Sequence, residues 1–168
     1  HSWLFTGPPG SGRSLAAIDF AAALMCTDPE EPGCGKCEAC RAVLGTKQHT
    51  DLVLVDPQEV IIPVDTVREV IGRAASLPTV APWRVVIFNN ADRLNNNGAN
   101  ALLKTVEEPP ERTVIIMCAP SDAPEDFSQT LRSRCRHLYI PSPSVENIVS
   151  QLVSEGPSDH DARLAAVT

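Results

Sequence analysis

The stretch Ser2-Trp3-Leu4-Phe5-Thr6-Gly7-Pro8-Pro9-Gly10-Ser11-Gly12-Arg13-Ser14-Leu15 decides the fold. A short apolar strand runs into a glycine-rich loop, and an alanine-rich helix follows from about Ser14 to Cys26. Small residues let backbone N–H groups crowd around phosphate oxygens, and the helix N-terminus adds a partial positive charge. Gly7, Gly12 and Ser14 match the pattern G-x-x-x-x-G-K-[ST], with Gly10 inside the loop, and Arg13 stands where the pattern has lysine. A plain glycine/proline turn before a helix is the bland alternative. The strand before and the helix after favour a phosphate-binding loop (P-loop). Whether it holds nucleotide is a separate matter, because a planar guanidinium is not equivalent to an ammonium point charge.

Working outward, the 168 residues suffice for one α/β domain with a substantial core and the start of another. A hydrophobic share of 43% against 21% charged residues marks a globular chain rather than a disordered one. The formal net charge of -7 disfavours duplex-DNA binding by this chain alone, which would call for a basic face. No apolar run approaches membrane-spanning length and nothing resembles a signal peptide, so a cytoplasmic protein without membrane contact is expected. The opening at His1, without a methionine, suggests a short segment ahead of it.

Apolar strands are expected over residues 51–55, 83–88, 113–118 and 137–140, and helices over 65–76, 97–107 and roughly 124–131. Residues 38–44 have room for one helical turn or two. The 65–76 helix should bury Val67, Val70, Ile71 and Ala74. Strands alternating with helices predict a five-stranded, mostly parallel sheet covered on both faces, with ligands at the C-terminal strand ends. There the P-loop and the loop after Phe88 would meet. Pro141-Ser142-Pro143 reads as a boundary. Residues 1–141 then form the P-loop domain, and 142–168 begin a small helical domain with helices near 144–154 and 158–167.

Cys26, Cys34, Cys37 and Cys40 are separated by seven, two and two residues. Two C-x-x-C steps sharing a cysteine bring three sulfurs together, and Cys26 folds back as the fourth. Four thiolates close a tetrahedral Zn²⁺ and leave no open position, so the module at 26–40 would be structural. Gly33 and Gly35 permit the tight loop. Disulfides and free thiols are the alternatives, with an iron–sulfur cluster the sharper rival; such runs usually carry their fourth cysteine downstream, near a proline. Cys118 and Cys135 read as packed thiols and His49 as a loop residue.

The remaining motifs fall together. Asn100-Ala101-Leu102-Leu103-Lys104-Thr105-Val106-Glu107-Glu108-Pro109-Pro110 is nearly the NALLKTLEEPP signature of bacterial DNA clamp loaders, and Ser133-Arg134-Cys135 is their SRC motif. With the four-cysteine insertion and Asp65-Thr66-Val67-Arg68-Glu69-Val70, the chain resembles the AAA+ clamp-loader subunits of bacterial DNA polymerase III, of the delta-prime type, over almost its whole length. The resemblance implies DNA replication, with partners of the gamma/tau motor type and a delta subunit in a hetero-pentamer. Through that assembly it implies a sliding clamp and primed DNA. It also implies a helical lid domain after residue 141 and a C-terminal collar domain that this chain does not include. Arg134 is implied to act in trans, reaching the γ-phosphate of ATP on a neighbouring motor subunit; such a finger contributes about 10³ to 10⁵ in rate. A solvated arginine between Arg132 and Arg136 is the bland alternative. Lys104 and Glu107 carry less information, since Ala101, Leu102 and Val106 facing inward would explain that helix by packing.

Departures from the hydrolysing members bear on the P-loop. Their equivalent of Val85-Val86-Ile87-Phe88-Asn89-Asn90 ends in Asp-Glu, which organises Mg²⁺ and polarises the attacking water. Two amides supply neither negative charge nor a proton acceptor, and losing such a group costs about 10² to 10⁴ in rate. Arg13 adds to the loss; Asp92, three residues on, is a candidate substitute carboxylate unless it points elsewhere. A non-hydrolysing subunit is therefore expected, with ATP or ADP binding at Gly7, Gly10, Gly12, Arg13 and Ser14 left open. The competing readings are an active P-loop ATPase or nucleotide kinase, and a zinc-dependent DNA-binding module.

Overall fold

Five parallel strands form one sheet in a computed structural model that describes residues 1–57 and 59–154. The strands are β1 (Ser2–Thr6), β2 (Leu52–Val55), β3 (Arg84–Phe88), β4 (Thr113–Ala119) and β5 (Arg136–Tyr139), in the order β2-β3-β4-β1-β5. Every pairing is parallel, which sharpens the expected mostly parallel sheet. Ser2 lies opposite Ile115 and Trp3 opposite Arg136, so the first strand takes a central place. β3 and β4 are buried at every residue, as strands covered on both faces must be.

The helices are α1 (Arg13–Met25), α2 (Glu38–Arg41), α3 (Val64–Ala74), α4 (Asn96–Glu107), α5 (Gln129–Arg132) and α6 (Val145–Ser154). Side-chain alternation along the strands divides the core in two. Leu4, Val86, Phe88, Ile115 and Met117 pack with Val67 and Val70 of α3, Leu102 and Val106 of α4 and Leu131 of α5. Phe5, Val85, Ile87, Ile116 and Cys118 pack with Ala17, Ile18, Ala21 and Met25 of α1 and with Cys40 and Val43 of the cysteine segment. The result is a three-layer sandwich, as anticipated, with the cysteine module built into one outer layer. Ala17, Ala21 and Ala22 of α1 are buried in this core layer.

Local differences from the sequence reading have physical causes. After α2 the chain continues as a π-type turn over Ala42–Thr46, closed by Lys47 in the left-handed region at φ 56°. α4 starts at Asn96 because Asn95 caps it, its Oδ1 accepting the Gly98 N–H at 2.8 Å. The helix expected over 124–131 contracts to Gln129–Arg132. Ahead of it, Ser121 donates to Asp126 at 2.6 Å and accepts the Ala123 N–H at 3.1 Å, a side-chain turn that replaces the first helical turn. α6 corresponds to the expected helix at 144–154, whereas the one expected at 158–167 lies outside the described residues.

A buried charge pair ties the sheet to its loops. Asp51, fully buried just before β2, accepts the backbone N–H groups of Thr79, Val80 and Ala81 at 2.7 to 2.9 Å and Arg84 Nη2 at 2.9 Å. Arg84 also donates to the carbonyls of Arg73 and Ser76, holding the end of α3 against β3.

Candidate functional site

The P-loop turns at the C-terminal end of β1, next to β4 on one side and β5 on the other. Gly10 and Gly12 adopt φ of 81° and 80°, the left-handed region that side chains disfavour. At Gly7 the need is spatial: a Cβ there would overlap the carbonyl oxygen of Ile140 and the Ser11 side chain. Gly12 supplies the N-cap, with its carbonyl accepting the Ala16 N–H at 2.9 Å, and α1 points its N-terminus into the loop. This is the expected cradle, with half-buried Ser14 in the first turn.

Arg13 is engaged by its own loop. Its Nη1 donates to the carbonyls of Gly7 at 2.8 Å and Pro8 at 3.1 Å, so the guanidinium folds back onto its own loop. Two fixed donors on two loop carbonyls hold the loop shape without a ligand. Among the described residues, four buried side-chain polar atoms lack a partner; three of them, Ser11 Oγ, Arg13 Nε and Asn89 Oδ1, belong to the P-loop and to the end of β3. Buried polar groups are seldom left unmatched, so this end of the sheet retains hydrogen-bonding capacity for a bound group.

Asn89 and Asn90 follow β3 on the same edge of the sheet. The Asn89 N–H bonds the Val55 carbonyl at 2.8 Å, which continues the β2–β3 ladder, and Asn90 turns the chain at φ 52°. Asp92 stands exposed in the following 3₁₀ turn, on the rim of a cleft of about 170 Å³ that it shares with Phe127 and Leu131. That cleft opens toward α5 and not toward the P-loop.

Arg134 occupies the turn that ends α5. The Arg134 N–H bonds the Leu131 carbonyl at 3.0 Å, and half-buried Cys135 packs against the core beside it. Burial raises the Cys135 thiol to about 12, so it stays protonated, as a packed thiol should. Cys118 is likewise buried and raised to about 12. The Arg134 guanidinium reaches outward: Nε donates to Glu107 Oε2 at 3.1 Å, and Nη1 to the Thr130 carbonyl at 2.9 Å and Ser133 Oγ at 3.3 Å. Its neighbour Arg132 serves differently. Arg132 Nε binds Asp122 at 2.9 Å and Nη2 meets His137 Nδ1 at 3.1 Å, while His137 Nε2 lies 2.6 Å from Thr6 Oγ1. The Arg132 hydrogen bond holds the Asp122 carboxyl below its ordinary value. This chain of contacts joins the base of the P-loop to the Ser133-Arg134-Cys135 turn. Nothing in the sequence announces it, because Thr6 and His137 meet only through β1–β5 pairing.

Cys26, Cys34, Cys37 and Cys40 converge, with their four sulfurs all within 4.8 Å of one another. Cys26 Sγ lies 3.7 Å from Cys34 Sγ and 3.9 Å from Cys37 Sγ. A tetrahedral site with Zn–S of ~2.3 Å has S···S edges of about 3.8 Å, so the donor set fits zinc. Disulfides do not form, all six cysteines being free. Backbone N–H groups point at the sulfurs, Lys36 and Cys37 at Cys34 and Cys40 at Cys37, each at 3.4 Å. Hydrogen bonds led by that of Thr27 lower the Cys37 thiol to about 6, whereas burial raises Cys40 to about 12. Such N–H···S contacts orient and stabilise thiolate ligands. His49 stands apart, its Nδ1 accepting the Asp51 N–H at 3.0 Å, which is the loop role expected of it.

The profile of the family described as DNA polymerase III, delta subunit, matches residues 1–144. The DNA polymerase III subunit delta' of Pseudomonas aeruginosa is 34% identical over 162 residues, covering 95% of this chain and 48% of that protein. The gamma/tau subunit of Mycobacterium tuberculosis is 37% identical over 139 residues, covering 82% of this chain and 24% of that one. The chain thus spans about half the length of the delta' relative and about a quarter of the gamma/tau one. A crystal structure of a gamma subunit-related protein from Thermotoga maritima superposes with a TM-score of 0.62 at 22% identity, covering 98% of this chain and 52% of that one, which shows a shared fold.

Proposed function

The chain belongs to the DNA polymerase III, delta subunit, family, and from that premise we propose that it is a non-hydrolysing, delta-prime-type subunit of a clamp loader. In this reading it works in the cytoplasm beside gamma/tau-type motor subunits and a delta subunit. It presents Arg134 to ATP held by a neighbouring motor and so helps place a sliding clamp on primed DNA. Residues 1–141 act as the AAA+ domain, and 142–168 begin the lid.

The observation that carries the reading is Arg13. In a hydrolysing P-loop the lysine reaches the β- and γ-phosphates. Here the side chain at that position is spent on the carbonyls of Gly7 and Pro8. Asn89 and Asn90 bring no carboxylate to the end of β3, and Asp92 faces another cleft. Two of the unpartnered atoms beside the loop, Ser11 Oγ and Arg13 Nε, are donors that suit a bound phosphate, so binding and turnover separate: the loop can cradle nucleotide without cleaving it. The cysteine knuckle holds structural zinc, because four sulfurs fill the coordination sphere.

Arg134, by contrast, stands exposed at the end of a short helix. A guanidinium delivered there stabilises charge on a transferring phosphoryl group that belongs to another subunit.

Two measurements test the proposal. The purified chain incubated with Mg²⁺-ATP is expected to show no turnover above background; turnover abolished by Arg13→Ala would overturn it. In the assembly reconstituted with motor subunits, Arg134→Ala is expected to lower ATP hydrolysis by about 10³-fold or more at the neighbouring site. Unchanged hydrolysis and clamp loading would remove the finger.

A further inference from the structure

Arg134 is held in place by a residue from a different helix, and that contact has a mechanistic reading. We propose that Glu107, the last residue of α4, is a positioning residue that presets the Arg134 guanidinium for a phosphate oxygen on the neighbouring subunit. The inference rests on the proposed role of Arg134.

An arginine side chain is long and rich in rotamers, so a free one has much conformational entropy to lose. A finger that wandered would have to lose that freedom each time it engaged. Here the loss has already occurred on folding. Glu107 Oε2 takes Nε at 3.1 Å from one side, and the Thr130 carbonyl takes Nη1 at 2.9 Å from the other. One anchor stands at the C-terminal end of α4 and the other in α5, two helices that pack on each other in the same core layer. Two contacts on a rigid plane fix its orientation as well as its position.

The contacts also leave the right atom uncommitted. The recorded hydrogen bonds of the guanidinium fall on Nε and Nη1, so among the described residues Nη2 is left for an anionic oxygen. A parking contact would look different, because a carboxylate that competed with phosphate would grip the outer edge formed by Nη1 and Nη2. Glu107 takes only the inner Nε–H, and a phosphate can arrive without displacing it. Glu107 and Arg134 are both partly open to solvent, with side-chain exposures of 60% and 34%. An exposed pair of this kind contributes little to stability. A positional role is what such a pair is suited to supply.

The test uses the reconstituted assembly with clamp and primed DNA, comparing Glu107→Ala, Glu107→Asp, Arg134→Ala and the Glu107→Ala/Arg134→Ala double variant. Glu107→Ala is expected to lower kcat for ATP about tenfold with KM unchanged, and Glu107→Asp to recover part of the loss. The double variant should be no slower than Arg134→Ala alone, since a positioning residue has nothing to act on once the finger is gone. The thermal midpoint of the isolated chain should move little in either Glu107 variant. If Arg134→Ala is slow while Glu107→Ala is normal or faster, the positioning role falls and the finger stands. If Arg134→Ala is itself normal, the finger reading falls and takes this inference with it. A slow Glu107→Ala whose loss adds in full to that of Arg134→Ala also overturns the proposal, because Glu107 would then act by another route.

Discussion

Asp51 pays for its burial with hydrogen bonds. Desolvation pushes its carboxyl upward, but the N–H groups of Ala81, Thr79 and Val80, joined by Arg84, outweigh it and hold the group well below the ordinary carboxylate range. A folded-state value below the unfolded one, ~3.9, adds stability that is present above about pH 4 and is lost as pH falls toward the folded value. Acid titration of unfolding midpoints should therefore show a steep loss below about pH 4 that is weaker in Asp51→Asn. The same variant at neutral pH leaves Arg84 buried without a counter-charge and is expected to cost about 3–5 kcal/mol in urea denaturation. At this scale the sequence is only partly legible. Asp51 reads as the first residue of a strand, and nothing nearby in the chain marks Thr79 to Arg84 as its partners. Arg13 shows the same limit: its departure from lysine is plain in the sequence, but its bonds to the Gly7 and Pro8 carbonyls emerge only from the folded loop.

Elements were more legible than contacts, for reasons that differ from one to the next. α3 shows clear apolar spacing, and Val67, Val70 and Ala74 are buried as that spacing requires, with Ile71 partly so. α4 carries its own start signal in Asn95, two residues before the expected start at 97. Asn95→Ala removes the acceptor for the Gly98 N–H and should lower stability by about 1 kcal/mol, read from chemical denaturation. Because α4 ends at Glu107, fraying introduced at Asn95 lies at the far end of the helix, and the Glu107–Arg134 contact should persist. α5 was harder to see. Its upstream residues bond through Ser121 and Asp126 side chains, and local side-chain bonding of this kind competes with helix without altering apolar spacing.

At the scale of the whole molecule, the cysteine module is part of the wall. Cys40, Ala39 and Val43 share a core with α1, so the knuckle seals one outer layer of the sandwich. Protein purified without chelator should carry about one zinc per chain by metal analysis. Stripping it should lower the thermal midpoint by about 5 °C or more, since each 1 kcal/mol moves a domain of this size by about 2–4 °C and losing a structural metal costs several. Retention of the full midpoint after complete metal loss would show that packing alone holds the layer. The three-layer plan and the cysteine cluster were both readable beforehand, because alternation of strands with helices and a tight C-x-x-C spacing are local signals. Strand order is not local, and it has a consequence for how the chain is made. β1 is made before the other four strands of the sheet, yet its neighbours are β4 and β5, with Ser2 opposite Ile115 and Thr6 opposite Tyr139. Until those strands arrive, β1 waits unpaired on both edges while β2 and β3 can already zip together. The strand that anchors the P-loop is thus the last to be locked in. The P-loop should take its final shape only when synthesis has passed the SRC turn and β5.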